Sequence, residues 1–142
     1  MTIMLRQIVL IFVSMALFAP LVLADTPSPP GAKVYIIEPR GGGTVTNPVK
    51  VLFGLRGMGI APAGTDVEMT GHHHLVVDQD TPPLNDYLPV GDPQIIHFGK
   101  GQTETDLVLE PGEHRIQLVL GDKDHKPHVP PVVSEIVVFT VK

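Results

Sequence analysis

"TETDLVLEPGEHRIQLVLG", Thr103 to Gly121, alternates polar and apolar residues in two runs separated by a turn. In the first run Thr103, Thr105, Leu107 and Leu109 fall on one side, and Glu104, Asp106 and Glu110 on the other. In the second, Ile116, Leu118 and Leu120 oppose Arg115 and Gln117. A period of two belongs to a β-strand with one face buried. The intervening "EPGE", Glu110 to Glu113, has the Pro-Gly chemistry of a tight turn. It is expected to join neighbouring antiparallel strands.

Five more runs of the same kind flank this pair: "KVYIIEP" from Lys33, "VKVLFGL" from Val49, "HHHLVVD" from His72, "QIIHFG" from Gln94 and "VSEIVVFTV" from Val133. No segment carries sustained helical periodicity. About seven short strands separated by turn residues predict an all-β domain, an immunoglobulin-like or fibronectin-like antiparallel sandwich. The sequence has no cysteine and no tryptophan, so the architecture is implied without the disulfide and buried Trp of antibody domains. Long connections begin at Arg56, Gln79 and Asp122, and loops of that length in a small domain are where function concentrates.

The N-terminal residues 1–24 read as a cleaved signal peptide: Arg6, an apolar run from Ile8 to Leu23, and "VLA" before Asp25. The apolar run is shorter than the ~20 residues that span a bilayer, so no membrane span is expected after cleavage. "DTPSPPGA", residues 25–32, has the composition of a flexible tether. Residues 33–142 are expected to form a single β-sandwich domain. The chain carries 10 Lys and Arg against 15 Asp and Glu, a formal charge of −5, and cleavage removes Arg6 as well. That balance argues against nucleic acid as a partner. The expected location is periplasmic or secreted.

Three of the 7 histidines stand together in "TGHHHLVVD", Thr70 to Asp78. If the seven runs are strands of a sandwich, His72, His73 and His74 open the third strand at one pole. His97 closes the fourth there, and His125 and His128 of "DKDHKPH" lie in the connection before the last strand. His114 falls at the opposite pole. Neutral imidazoles suit Zn²⁺ and Cu²⁺, so this convergence makes His72, His74, His97, His125 and His128 the candidate metal ligands. Parity places His72 and His74 on the outer sheet face near Gln117 if Leu75 and Val77 are core residues, leaving His73 to plug the rim of the core. Asp122 and Asp124 would orient or neutralise, His73 is a further candidate for an outer contact, and Met58 and Met69 in the connection from Arg56 would favour copper if either points inward. The same histidines are also compatible with a hydrogen-bond network that only stiffens a loop-rich pole.

Neither a catalytic residue nor a nucleotide-binding residue is identified. The mature serines, Ser28 and Ser134, lie in no nucleophile elbow, and there is no H-E-x-x-H. "GMGIAP" and "GKGQ" lack the spacing of nucleotide or phosphate loops. An enzyme is therefore the weaker expectation.

"VYIIEPRGGGTVTNPVKVLFGLRGMGIAPAG", "TGHHHLVVD", "HFGKGQTETDLVLEPGEHRIQLVLGD" and "HKPHVPPVVSE" together resemble the bacterial family called domain of unknown function 4399. The resemblance runs from about Val34 to Lys142, with "GHHHL" at Gly71 to Leu75 and "LGD" at Leu120 to Asp122. It implies one exported domain and no particular chemistry. Two functions remain open from the residues: a module binding a copper or zinc ion in metal handling or for stability, and an extracytoplasmic interaction module whose partner is another protein or a cell-envelope glycan.

Overall fold

The computed structural model describes residues 25–142, and the expected leader, 1–24, lies outside the described residues. Nine strands occur among them: β1 Lys33–Glu38, β2 Thr44–Val45, β3 Val49–Arg56, β4 Gly59–Ile60, β5 Thr70–Val77, β6 Ile95–His97, β7 Glu104–Leu107, β8 Gly112–Gly121 and β9 Val137–Val141. The all-β expectation holds, and each of the seven alternating runs contributes a strand. Two-residue β2 and β4 were invisible in the sequence, because a period cannot be read from two residues. Among the described residues no helix is long and apolar enough to cross a membrane.

The strands form a three-stranded sheet, β1-β3-β7, and a six-stranded sheet in the order β2-β9-β8-β5-β4, with β6 also paired to β5. The central ladders are antiparallel, while β2 pairs with β9 and β4 with β5 in parallel. Here the turn at Glu110–Glu113 departs from expectation. It does not close a hairpin: β7 pairs with β3, whereas β8 pairs with β5 and β9, so the chain changes sheets at this turn. Alternation specifies which side chains are buried, not which neighbour supplies the hydrogen bonds. Leu107 and Leu109 from one sheet and Ile116, Leu118 and Leu120 from the other all pack on the same apolar cluster.

That cluster is the core. Val34, Val49, Val51 and Phe53 of the small sheet meet Leu75, Val77, Ile116, Leu118, Leu120, Phe139 and Val141 of the large one. A second, smaller cluster lies on the outer face of the large sheet, where Val76, Ile95 and Val119 are covered by Leu88, Leu84 and Val133. β5 is therefore buried on both sides, from Gly71 to Val77. Residues 25–32, expected as a tether, also depart from the sequence reading. Pro27 bridges to Val129, the Ser28 amide donates to the Val129 carbonyl (3.1 Å), and the Val129 amide donates to that of Thr26 (2.9 Å). Prolines favour an extended backbone, and an extended segment can dock on an exposed loop edge.

Candidate metal centre

Strand parity puts the three consecutive histidines of β5 on two faces. His73 shares its side with Leu75 and Val77; its ring packs 5.0 Å from that of Phe53 and its Nδ1 lies 3.3 Å from the Gln102 carbonyl. It closes the core rim, as the sequence indicates. His72 and His74 project from the opposite face beside Val76. That face is covered by the outer cluster, so both residues are 0% exposed.

Two more rings meet them. β6 pairs with β5 so that His97 stands opposite His74, and the turn after β8 brings in His125. The six centroid separations among the rings of His72, His74, His97 and His125 run from 4.7 to 5.9 Å. Ligand nitrogens of His72, His74 and His97 all lie within 4.8 Å of one another, and Nε2 of His125 is 3.1 Å from Nε2 of His97. An ion bound at ~2.0–2.1 Å to each nitrogen needs neighbouring donors ~3–4 Å apart, a spacing that the nitrogens of His72, His74 and His97 approach. Among the described residues, neither ring nitrogen of His72 or of His74 has a partner at hydrogen-bond geometry. Four buried, unpaired polar atoms in two adjacent rings are costly in a folded domain. Such atoms fit a ligand that accepts nitrogen lone pairs.

Electrostatics prepares the same rings. Burial, then the neighbouring His125 and His97 rings, lowers the His72 pKa from 6.5 to about 4. Burial, then His72, His97 and His125, lowers that of His74 to about 3. His97 is lowered in the same direction by burial and by His125. At neutral pH His72 and His74 are thus uncharged, the form that coordinates metals. Asp122 is buried nearby, and its carboxylate is the chief influence favouring a positive charge at His72.

Asp122 acts mainly through the backbone of the turn. Its Oδ1 accepts the amides of Asp124 and Lys126 (2.9 Å each), its carbonyl accepts the His125 amide (3.0 Å), and its amide donates to the Lys126 carbonyl (2.8 Å). The His125 carbonyl in turn accepts the Leu88 amide at 2.8 Å. His125 itself has φ of 70°. A residue with a Cβ is held in that conformation only by its surroundings, and such positions gather at functional sites.

Not every expected residue joins the cluster. His128 is fully buried elsewhere, donating from Nε2 to the Thr70 carbonyl at 3.1 Å. A spacing of three would align His125 and His128 on a helix, but here one sits in a turn and the other follows the bridge between Gly121 and Pro127. Asp124 is exposed, Met58 packs against the main core, and Met69 is 54% exposed, so neither sulfur supports a soft site. His114 lies at the far end of β8, with Nδ1 2.7 Å from Asp78 Oδ2 and Nε2 2.7 Å from the Glu110 carbonyl. Both partners are acceptors, and its pKa is raised, first by the hydrogen bond to Asp78 and then by that to Glu110. It is a charged imidazolium contact, apart from the cluster.

Two glycines were missed as site residues. A Cβ on Gly121 would lie 2.7 Å from His74 Cε1, and one on Gly99 would lie 2.6 Å from His97 Nε2. Each leaves the room that a ring occupies. "LGD" contains one and "GKGQ" the other, but nothing in sequence spacing assigns a glycine to a particular ring.

Comparison with curated proteins and with solved structures finds no match. One family model does match, over residues 51–142, a span that includes all four clustered histidines, both glycines and Asp122. On that match the chain belongs to the family described as Domain of unknown function (DUF4399).

Proposed function

We propose that this protein is an exported β-sandwich module that binds one divalent transition-metal ion, zinc or copper, through His72, His74, His97 and His125. The observation that carries the proposal is the pair of fully buried rings, His72 and His74, whose nitrogens lack hydrogen-bond partners among the described residues and face two further imidazoles. Four imidazole nitrogen donors without thiolate or thioether suit Zn²⁺ and Cu²⁺, and Cu²⁺ is bound more tightly by such sets. His97 and His125 are only half buried, which gives an ion access from one side. Asp122 offsets part of the ion's charge. The module serves in metal handling or is stabilised by its metal.

Export is supported by the leader-like residues 1–24, and the expected location is the periplasm or outside the cell. The strand orders β1-β3-β7 and β9-β8-β5-β6 support a fibronectin-like sandwich. A purely structural histidine network has support at His73 and His128, which hydrogen-bond to backbone, but not at His72 and His74.

Thermal melts of untagged protein with Zn²⁺ or Cu²⁺ test the proposal. Free metal at 100-fold its Kd adds about 2.7 kcal/mol to the folded state, a shift of several degrees. His74→Ala and His97→Ala are expected to remove that shift and His114→Ala to keep it. Equal behaviour of all three variants would refute the site.

A further inference from the structure

We infer that residues 25–28 form a strap that holds the turn carrying His125, making Thr26 a positioning residue for the fourth ligand. The inference rests on the metal reading above and concerns how that site is kept assembled.

The turn from Asp122 to Lys126 projects from the end of β8, and His125 occupies it with a left-handed backbone. Asp122 ties the turn together through its amide, its carbonyl and Oδ1, as described above. One atom is left over, Oδ2, and it accepts the Thr26 hydroxyl at 2.6 Å. Asp122 is only 4% exposed, so a carboxylate oxygen without that donor would be buried unpaired. The hydroxyl therefore fixes the rotamer that lets Oδ1 receive both amides.

The rest of the strap grips the same loop. Asp25 pairs with the Lys126 ammonium, immediately after His125. Thr26 and Ser28 exchange backbone hydrogen bonds with Val129, and the Ser28 hydroxyl donates to the Pro130 carbonyl at 2.7 Å. Among the described residues, the hydrogen-bond and ion-pair partners of residues 25–28 thus all fall between Asp122 and Pro130. A segment present only to cover the core would spend its contacts on the sheets. This one clasps both sides of a histidine whose conformation needs external support. Pro27, Pro29 and Pro30 restrict the unbound segment and reduce the entropy lost when it docks.

The test uses untagged protein spanning residues 25–142, with Co²⁺ as a spectroscopic probe and Zn²⁺ competition for affinity. Thr26→Val keeps the shape and removes the hydroxyl. It is expected to weaken Zn²⁺ binding by about 10-fold, the low end for lost outer contacts at metal sites, and to change the Co²⁺ visible spectrum toward that of His125→Ala. Thr26→Ser is expected to restore both. In the His125→Ala background Thr26→Val is expected to have no further effect, because its action runs through that ring. An unchanged affinity in Thr26→Val, or the same 10-fold loss with and without His125, would overturn the strap. Hydrogen exchange on metal-free protein gives a second reading. The Asp124 and Lys126 amides are expected to exchange faster in Thr26→Val while Leu118 and Val119 do not change, and unaltered rates at Asp124 and Lys126 count against the proposal. If the unsubstituted protein bound no metal, the metal reading would fall, while these exchange rates would still decide whether the strap holds the turn.

Discussion

At the scale of single residues, the protein spends stability on His72 and His74. Each is a polar ring placed where an apolar side chain would pack without unmet hydrogen bonds. Leaving such atoms unpaired costs about 1–3 kcal/mol per group. His74→Leu is accordingly expected to raise the stability of metal-free protein by about 1–3 kcal/mol in urea titration, while abolishing any metal-induced shift. A loss of stability in the metal-free variant would mean that the imidazole has a structural partner and that its burial is not a functional cost. Sequence reasoning could find this residue, because alternation from Leu75 and Val77 fixes the side on which His74 lies. It could not find the burial. The outer face of β5 is buried because Leu84, Leu88 and Val133 from distant connections pack on it, and no local period encodes that contact.

At the scale of elements, the site is a strand, a short neighbour and a turn held in register. β8 supplies Gly121 beneath the His74 ring, and the loop after β6 supplies Gly99 beneath the His97 ring. These two glycines predict different outcomes. Gly121→Ala forces a methyl group against a buried ring with little room to move, and is expected to destabilise the fold by about 1–3 kcal/mol. Gly99→Ala meets a half-buried ring that can swing outward, so stability should change little while metal affinity falls. Denaturant titration alongside metal titration separates the two; equal effects on both quantities at both glycines would contradict this picture. The same elements explain what the resemblance motifs contain. In "LGD" the glycine admits His74 and the aspartate builds the turn for His125; in "GHHHL" the first and third histidines face the cluster and the second closes the core. The turn at Glu110–Glu113 was the element read least well, since two alternating runs beside a Pro-Gly pair fit a hairpin and a change of sheet equally.

At the scale of the whole molecule, the two poles respond to pH with opposite signs. His72 and His74 have folded-state pKa values of about 4 and about 3, below the unfolded 6.5, so the folded chain binds fewer protons in that interval. Stability of metal-free protein therefore falls as pH drops below 6.5 toward the folded-state values. His114 works the other way. Its raised pKa contributes stability that is present below 6.5 and is lost as pH climbs through the raised value. His74→Leu should flatten the acid limb of a plot of melting temperature against pH, and His114→Ala should leave that limb steep; an acid limb unaffected by His74→Leu would assign it to carboxylates instead. The central claim, that four imidazoles share one ion, is tested most directly by X-ray absorption at the zinc edge of untagged protein loaded with one equivalent of Zn²⁺. The account predicts a first shell of four nitrogens at ~2.0–2.1 Å with the outer scattering of imidazole rings, reduced by one ring in His97→Ala. A shell dominated by oxygen, unchanged in His97→Ala, would contradict it.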